Sequence, residues 1–268
     1  SSSTMSEKIA IKNKPLKVFI TGATSGIGES LARHYAAERA ILGLVGRRFE
    51  LLVKIKSKIK TPCDIYAVDV TNQKALQKAA SHFIKKYGAP DIVIANAGVS
   101  TGTLAGEKED LHTFKRVIEI NLFGVIHTFL PFVEVFKKKR SGQFVGIASV
   151  AGIRGLPGSG AYSTSKAALI NYLESFRIEM KPFGIHVTTI APGYIHTPMT
   201  KHNRYKMPFI LLVDVAVSRF MKVIKHKKRF VIIPWQMKIV GIIMKLLPAS
   251  FWDFLAKGGP KKIRKMIQ

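Results

Sequence analysis

Cysteine and acidic residues are scarce in this sequence of 268 residues. Cys63 is the single cysteine, which excludes an internal disulfide and leads us to expect an ordinary thiol in a reducing compartment. The eight histidines are scattered without the spacing of a zinc site, so we expect no metal ion. The N-terminus shows no signal peptide, and we expect a cytoplasmic protein. Residues 1–14 should be flexible, and residues 1–4 before Met5 resemble a remnant of an expression vector.

The shortage of acidic residues makes the chain strongly basic. It has 43 lysines and arginines against 16 acidic residues, a net charge of +27, with local concentrations at 137–140, 225–229 and 261–265. The charge allows three interpretations: a lysine-rich background of solvated faces, attraction to an anionic membrane or an acidic substrate carrier, and nucleic-acid binding. Because no nucleic-acid motif is visible, we expect no nucleic-acid partner.

Apolar strand-like runs alternate with helix-length segments along the chain. This alternation predicts an α/β fold, a Rossmann-type doubly wound parallel sheet of about seven strands with helices on both faces. The length and an apolar fraction of 47% suit one domain, over residues 15–268. The predicted strands are 17–21, 41–46, 64–68, 91–95, 143–148, 185–191 and 230–233. The predicted helices are 27–39, 49–59, 72–87, 110–138, 161–181, 210–225 and 237–256.

A glycine-rich turn follows the first predicted strand and leads directly into a predicted helix. Residues 21–28 read TGATSGIG, with the spacing G-x3-G-x-G. Such a turn lets the backbone approach a dinucleotide pyrophosphate, and the helix N-terminus adds free N–H groups and a partial positive charge. The alternative interpretation is a tight turn without a ligand.

Tyr162 and Lys166 are four residues apart in a predicted helix, so both side chains can point into one site. A tyrosine hydroxyl has an ordinary pKa of about 10, and a nearby cation lowers that pKa. The pair can therefore exchange a proton with a carbonyl or alcohol oxygen, and Ser149 could hydrogen-bond the same oxygen. Taken alone, a Tyr-x-x-x-Lys pair is also common on solvated helices.

In this order, the motifs resemble those of the short-chain dehydrogenase/reductases of the short, single-domain type. Further matches are Asp69-Val70, Asn96-Ala97-Gly98, Asn121, and Pro192-Gly193 with Thr197. The matches span roughly residues 15–200, about two thirds of the chain. Ala95 stands where the family often has another asparagine, a departure that leaves Asn96-Ala97-Gly98 intact.

The resemblance implies a catalytic set of Asn121, Ser149, Tyr162 and Lys166. Hydride would pass directly between a nicotinamide and a carbonyl carbon, with Tyr162 as the general acid or base. Asn121 would distort its helix and hold a water that links Lys166 to solvent. The alternative for Asn121 is a polar side chain satisfied inside the core.

The resemblance also implies which cofactor is bound. Members that prefer NAD usually carry an acidic residue at the end of the second strand, where this chain has Gly46 followed by Arg47 and Arg48. Because arginine pairs well with a 2′-phosphate, we expect NADP(H) to be preferred over NAD(H), unless both arginines simply lie in solvent.

The remaining cofactor contacts follow from the resemblance as well. Asp69 and Val70 would contact the adenine, although Asp69 or Thr71 could instead cap the next helix. Thr197 would hydrogen-bond the nicotinamide carboxamide. The implied cofactor-binding residues are Gly22, Thr24, Ser25, Gly26, Ile27, Gly28, Arg47, Arg48, Asp69, Val70, Asn96, Ala97, Gly98, Tyr162, Lys166, Pro192, Gly193 and Thr197.

The residues that could surround the substrate are mostly apolar, which predicts a lipophilic carbonyl or alcohol substrate. One wall would follow Ser149, with Val150, Ala151, Gly152, Ile153, Leu156 and Pro157. The other would contain Tyr194, Met199, Met207 and Phe209. By resemblance, residues 199–215 form a mobile lid.

Residues 237–268 form an amphipathic and basic extension. Apolar residues at helical spacing predict a helix at 237–256 that Pro248 ends or kinks, and the run is too short and too interrupted to span a membrane. The helix could cover the pocket or pack on a sister subunit, or it could be an ordinary core helix. It could also lie in a membrane interface, anchored by Trp235, Phe251 and Trp252, with Lys261, Lys262, Arg264 and Lys265 facing acidic lipid.

The sequence therefore predicts an NADP(H)-dependent oxidoreductase that interconverts a carbonyl and an alcohol on a lipophilic small molecule. The alternatives are a non-catalytic dinucleotide sensor and a membrane-peripheral lipid-binding protein. We expect a homodimer or homotetramer paired through the helices at 110–138 and 161–181, with possible peripheral contact to an anionic membrane.

Overall fold

A seven-stranded, fully parallel sheet forms the centre of the computed structural model, which describes residues 14–258 and 262–267. The expected flexible N-terminus therefore lies almost entirely outside the described residues. The sheet strands are β1 Lys17–Thr21, β2 Ile41–Gly46, β3 Cys63–Ala67, β4 Ile92–Ala95, β5 Gly142–Ile147, β6 Ile185–Pro192 and β9 Phe230–Ile233. Two short strands, β7 Ile195–His196 and β8 Leu211–Leu212, pair with each other outside this sheet.

Helices connect the strands and cover both faces of the sheet. They are α1 Gly26–Ala37, α2 Phe49–Ser57, α3 Gln73–Tyr87, α4 Leu111–Ile118, α5 Gly124–Lys139, α6 Gly160–Met180, α7 Val213–Lys225, α8 Trp235–Leu246 and α9 Ala249–Ala256. Short 3-10 turns occupy Lys108–Asp110, Val150–Gly152 and Lys181–Phe183.

The strands form where they were predicted because their side chains alternate between two apolar cores. In β1, Val18 and Ile20 enter the core beneath α1, α2 and α7, whereas Phe19 enters the core beneath α3, α5 and α6. Successive strand residues point to opposite faces, so a strand buried on both sides reads as a continuous apolar run. The predicted α/β class with a Rossmann-type sheet is confirmed.

The strand order β3-β2-β1-β4-β5-β6-β9 places a reversal next to β1. From β1 the chain first builds outward through β2 and β3, and then returns to continue on the other side with β4. At such a switch point the loops at the carboxyl ends of the strands diverge and leave a crevice, which is the usual ligand site of these sheets.

The long helix predicted at 110–138 is interrupted by a π-helical turn, Glu119–Phe123, between α4 and α5. Asn121 lies in that turn and is fully buried. The run Lys108–Lys139 is also long and apolar enough to cross a membrane. However, 44% of its most apolar stretch is buried inside the protein, and core helices can have the same length and composition.

The predicted helix at 237–256 is two helices, because Leu247 and Pro248 separate α8 from α9. Proline lacks an N–H and its ring clashes with the preceding turn, as the sequence indicated. After α9, residues 262–267 run back across residues 100–104, with Gly102 N donating to Ile263 O at 2.9 Å.

Candidate active site

The glycine-rich turn is built by close backbone contacts. Gly22 has a φ of +67°, and a Cβ there would lie 2.6 Å from the backbone nitrogen of Ala97. At Gly28 a Cβ would lie 1.9 Å from Gly22 O, so α1 can pack against the turn only with glycine at this position. These contacts bring the N-terminus of α1 to the carboxyl edge of the sheet.

Asn96 ties this turn to the end of β4. Its Nδ2 donates to Gly22 O at 3.2 Å and to Ser25 Oγ at 3.1 Å, and Ser25 Oγ donates in turn to Gly22 O at 2.8 Å. In the structure Asn96 therefore positions the turn. Gly26 lies on the other side, where its Cβ would be 2.9 Å from the Thr197 side chain.

A cleft opens where β1 to β4 end, and half of the predicted cofactor-binding residues line it. Those brought together there are Gly22, Thr24, Ser25, Arg47, Arg48, Asp69, Val70, Ala97 and Gly98. Pro192 ends β6, while Gly193 and Thr197 belong to the next loop, with Thr197 N donating to Thr200 Oγ1 at 3.0 Å. Ile27 packs against the core beneath α1.

The end of β2 is positively charged. Arg47 and Arg48 are exposed at the cleft, and among the described residues neither guanidinium has an ion-pair partner. A Cβ on Gly46 would lie 2.9 Å from Thr24 Cγ2, so an acidic side chain could enter only if Thr24 moved.

Asp69 is held by hydrogen bonds at the edge of this cleft. Burial raises its pKa, but hydrogen bonds from Thr71 and the charge of Arg116, whose Nη2 is 3.2 Å away, together keep the pKa below its ordinary value. The alternative that Asp69 or Thr71 caps the next helix is wrong, because Asn72 is the N-cap and accepts from Ala75 N at 3.1 Å.

Tyr162 and Lys166 lie in the first turns of α6, and the predicted helical spacing brings them together. The Lys166 Nζ lies 5.8 Å from the centroid of the Tyr162 ring and donates to Ile147 O at the end of β5, at 3.1 Å. Ser149 follows β5 and its Oγ accepts from Ala151 N at 3.1 Å. The end of β5 and the start of α6 thus supply the three polar groups.

Burial controls the titration of this pair. It raises the pKa of the Tyr162 hydroxyl, a hydrogen bond with Ser149 lowers that pKa, and Tyr194 raises it, with a net increase. This direction is opposite to the one expected from the lysine alone. Burial also lowers the pKa of Lys166 to about 8, so this lysine can release its proton near neutral pH.

Asn121 is fully hydrogen-bonded through its side chain. Its Oδ1 accepts from Val99 N at 2.8 Å, and its Nδ2 donates to Val99 O at 2.9 Å and to Ser165 Oγ at 3.0 Å. A Cβ placed on Gly98 would lie 3.3 Å from Asn121 Oδ1 and 3.7 Å from Lys166 Nζ, so these two polar groups flank the same glycine.

A mostly apolar cavity of about 280 Å³ opens beside Ser149 and Tyr162. The expected Val150, Ala151, Leu156, Tyr194 and Met199 line it. So do Thr200, Asn203, Tyr205 and Pro208 from the predicted lid, and Met237, Val240, Met244 and Trp252 from the helices after it. The sequence did not indicate Ser100, Ser159 and Lys262, which also line it. Gly152 and Ile153 instead line a neighbouring groove beneath α8.

The C-terminal helices cover this cavity, as one of the interpretations of the extension predicted. Met237, Val240 and Met244 of α8 face it, and Trp252 of α9 lines it while its Nε1 donates to Gly155 O at 3.0 Å. The periodicity of the extension indicated a helix, and only the packing revealed which face is covered.

Lys262 is in a place that the sequence did not indicate. The membrane interpretation of the extension placed it toward acidic lipid with the other basic residues of the tail, but its Nζ lies 3.5 Å from the centroid of the Tyr162 ring and hydrogen-bonds Ser100 Oγ. Lys261 of the same cluster lies outside the described residues. No local motif could have located Lys262, because its partners are far away in the sequence.

The model of the short chain dehydrogenase family matches residues 16–208. The chain belongs to the short-chain dehydrogenases. It is therefore an enzyme, an oxidoreductase with a Rossmann-type sheet.

Relatives and solved structures agree with this assignment. The chain is 31% identical to an uncharacterized oxidoreductase of Myxococcus xanthus, over 89% of this chain and 95% of that protein. It is 32% identical to the 3-oxoacyl-(acyl-carrier-protein) reductase FabG of Thermotoga maritima, over 76% and 83%. A short chain dehydrogenase from Burkholderia cenocepacia, solved in complex with NADP, superimposes with a TM-score of 0.78 at 22% identity, over 90% of this chain and 98% of that chain.

Proposed function

We propose that this short-chain dehydrogenase interconverts a ketone or aldehyde and an alcohol on a lipophilic small molecule, with NADP(H) as the preferred cofactor. The observation that carries the proposal is that three polar groups connect two spaces. Ser149 and Tyr162 line the apolar cavity beneath α8 and α9. Lys166 Nζ lies 3.7 Å from a Cβ placed on Gly98, which lines the cleft at the switch point of the sheet.

The cleft fits a dinucleotide with an extra phosphate. Gly22 and Gly26 leave the backbone accessible, and α1 directs its free N–H groups toward the turn. Arg47 and Arg48 offer charge without competing ion pairs, and no carboxylate stands at position 46 to accept from a ribose hydroxyl. The NADP complex of the Burkholderia dehydrogenase supports the same choice.

Three residues of this chain would handle the substrate oxygen. The cofactor supplies or accepts the hydride when it is bound. Ser149 holds the substrate oxygen by a hydrogen bond, and Tyr162 donates a proton to it in reduction or accepts one in oxidation. Burial raises the pKa of Tyr162, so its hydroxyl carries a proton that it can donate to the substrate oxygen.

Lys166 and Asn121 would support Tyr162. Lys166 can exchange a proton near neutral pH, because burial brings its pKa to about 8. Asn121 widens the helix into a π turn and flanks Gly98 together with Lys166. We propose that these residues form the route by which the proton of Tyr162 is replaced from solvent.

The segment around 199–215 acts as a lid in this proposal. Met199, Asn203, Tyr205 and Pro208 from it line the cavity, and its end is tied down where β8 pairs with β7. The described chain would then be one catalytic domain with this lid and the C-terminal extension.

We further propose a homodimer or homotetramer paired through α4, α5 and α6. This region exposes large apolar side chains, namely Leu111 on α4, Phe123 in the π turn, Leu130 on α5 and Ile178 on α6. Burying such side chains against a second copy is favourable, and isologous pairing is the commonest arrangement.

The outer faces of α8 and α9 support peripheral binding to an anionic membrane. Their inner faces cover the cavity, but Leu246 is 76% exposed and Phe254 is 78% exposed, with Trp235, Ile239, Ile242, Ile243, Phe251 and Leu255 also exposed. Lys238 and Lys245 flank these side chains on α8. Apolar anchors beside lysines are typical of helices that lie in a membrane interface.

The test of the activity is turnover of NADPH with a panel of apolar ketones and aldehydes, by the wild type and by Tyr162→Phe. The variant keeps the ring and loses the hydroxyl, so we expect its rate to fall at least about 10²-fold with NADPH affinity nearly intact. Near-normal turnover in the variant would refute the role of Tyr162 as the general acid or base. NADPH binding without turnover on any carbonyl would favour a dinucleotide sensor.

A further inference from the structure

The tail that follows α9 places a cation beside the reacting groups. Lys262 is half-buried, and its Nζ lies 3.5 Å from the centroid of the Tyr162 ring while it hydrogen-bonds Ser100 Oγ. Because the Tyr162 hydroxyl belongs to the same ring, this ammonium lies within a few ångströms of the point where a substrate carbonyl would be held.

Several contacts fix the tail in this position. Arg264 pairs with Asp110 through two hydrogen bonds, of 2.9 and 3.0 Å. Thr101 Oγ1 accepts from Lys265 N at 3.1 Å, and the backbone of Gly102 bonds that of Ile263. These contacts on residues 263–265 therefore hold the neighbouring Lys262 in place.

Lys262 lacks a counter-charge in the cavity. No described residue that lines the cavity carries a carboxylate, and the like charge of Lys166 acts on Lys262. Burial and Lys166 together lower the pKa of Lys262 to about 7. A cation that has lost water without gaining an anion is unfavourable, and a bound anion relieves that cost.

We propose that Lys262 recognises an anionic group of the substrate that lies next to the reacting carbonyl. The remaining lining is mostly apolar, including Leu156, Met199, Met237 and Met244. The substrate class is therefore a 2-oxo or 3-oxo carboxylate with an apolar chain. This inference rests on the proposed carbonyl chemistry and narrows its substrate.

The kinetic test compares 3-oxododecanoate with its neutral methyl ester. In Lys262→Met the KM for the acid should rise about tenfold or more, the scale of one charge-assisted hydrogen bond, with kcat nearly unchanged. The KM for the ester should stay the same or fall. Lys265→Met, which changes an exposed lysine of the same tail, should leave both substrates unaffected.

A binding test separates this inference from the proposed activity. With NADPH present, 3-hydroxydodecanoate cannot react, and calorimetry measures its affinity directly. The wild type should bind it about tenfold or more tightly than Lys262→Met does. Equal affinities, no binding by the wild type, or a parallel loss of NADPH affinity in the variant would overturn the role of Lys262.

Two further outcomes are informative. If Lys262→Met speeds turnover of acid and ester alike, the tail only obstructs the cavity, and anion recognition is refuted. If neither compound is reduced by the wild type but the hydroxy acid still binds through Lys262, the proposed activity fails while the anion site stands.

Discussion

At the residue scale, the cofactor cleft is defined as much by missing atoms as by side chains. Gly22 and Gly28 permit backbone contacts that any Cβ would block, and Gly46 leaves β2 without a carboxylate. The two arginines that follow then set the local charge. Position 46 therefore influences both the shape of the cleft and the charge that the cleft presents to a cofactor.

Replacing Arg47 by alanine should weaken NADPH binding selectively. A charge-assisted contact to a 2′-phosphate contributes about 1.5–3 kcal/mol, so the NADPH dissociation constant should rise about tenfold or more, with much less effect on NADH. Fluorescence titration measures both constants, and Arg33→Ala, which changes an arginine paired with Asp214, is the matched control. Equal losses for the two cofactors would refute the role of Arg47.

The buried ammonium of Lys166 should make stability depend on pH. Its pKa in the folded protein is about 8, below the ordinary 10.5, so the folded state holds fewer protons between these values and its penalty disappears as pH rises. Lys166→Met removes the penalty. The variant should therefore be more stable than the wild type, and its gain in free energy of unfolding should be about 1–2 kcal/mol larger at pH 7.5 than at pH 9.5.

Urea unfolding at the two pH values measures this difference. Burial, the larger cause of the low pKa of Lys262, is common to both proteins, so only the smaller part that Lys166 contributes to that pKa differs between them. Lys265→Met removes an exposed lysine and should show no such difference between the two pH values. A pH-independent effect of Lys166→Met would mean that the lysine is not desolvated as the structure indicates.

At the element scale, the π turn between α4 and α5 connects packing to the site. It carries Asn121 into the core, where the amide satisfies both backbone groups of Val99. The loop after β4, which contains Gly98, is held in place by this contact. A regular α-helix would shift the residues after position 119 and move the amide away from Val99.

Replacing Asn121 by alanine should cost stability and activity together. The Val99 N–H and C=O would lose their partner, at about 1–3 kcal/mol of unfolding free energy. We also expect kcat to fall about tenfold or more, because the variant would interrupt the proposed proton route through Lys166. Asn171→Ala makes the same change at an exposed position of α6 and should do neither. A stable and fully active Asn121→Ala enzyme would disprove this role.

At the scale of the whole molecule, the chain carries a net charge of +27 and also exposes two apolar surfaces. One lies on α4, α5 and α6, and the other lies on the outer faces of α8 and α9. Large exposed apolar patches often mark interaction sites in proteins. We propose that the first surface pairs with a sister subunit and that the second contacts an anionic membrane.

The double variant Leu246→Glu with Phe254→Glu should lose membrane binding. The wild type should sediment with phosphatidylserine vesicles, and less so at high salt, because each basic residue near such a surface contributes about 1 kcal/mol that salt screens. Two glutamates on the face that inserts would have to lose their hydration, and the anionic lipid would repel them. Sedimentation at low and high salt measures the effect.

The control for that experiment is Leu130→Glu on α5. It should leave vesicle binding intact and weaken the dimer or tetramer, as measured by light scattering. If the double variant dissociates the oligomer instead, α8 and α9 pair subunits. If the wild type ignores phosphatidylserine at low salt, the membrane assignment is wrong.

The sequence by itself determined the family, the parallel sheet and the neighbourhood of most site residues. β1, β2 and β9 have the predicted bounds, because buried parallel strands are apolar runs whose length is a local property. Tyr162 and Lys166 were brought together by helical spacing, which is equally local. The break before α9 followed from Pro248 for the same reason.

Only the tertiary structure decided which residues line the apolar cavity. Lys262 meets Ser100 across 162 positions of sequence, and α8 reaches the cavity only after the chain has crossed the whole sheet. Burial, which raises the pKa of Tyr162 against the expectation from its neighbouring lysine, also comes from packing by distant segments. Spacing and periodicity report on neighbours in the chain, whereas these contacts depend on where remote segments come to rest against one another.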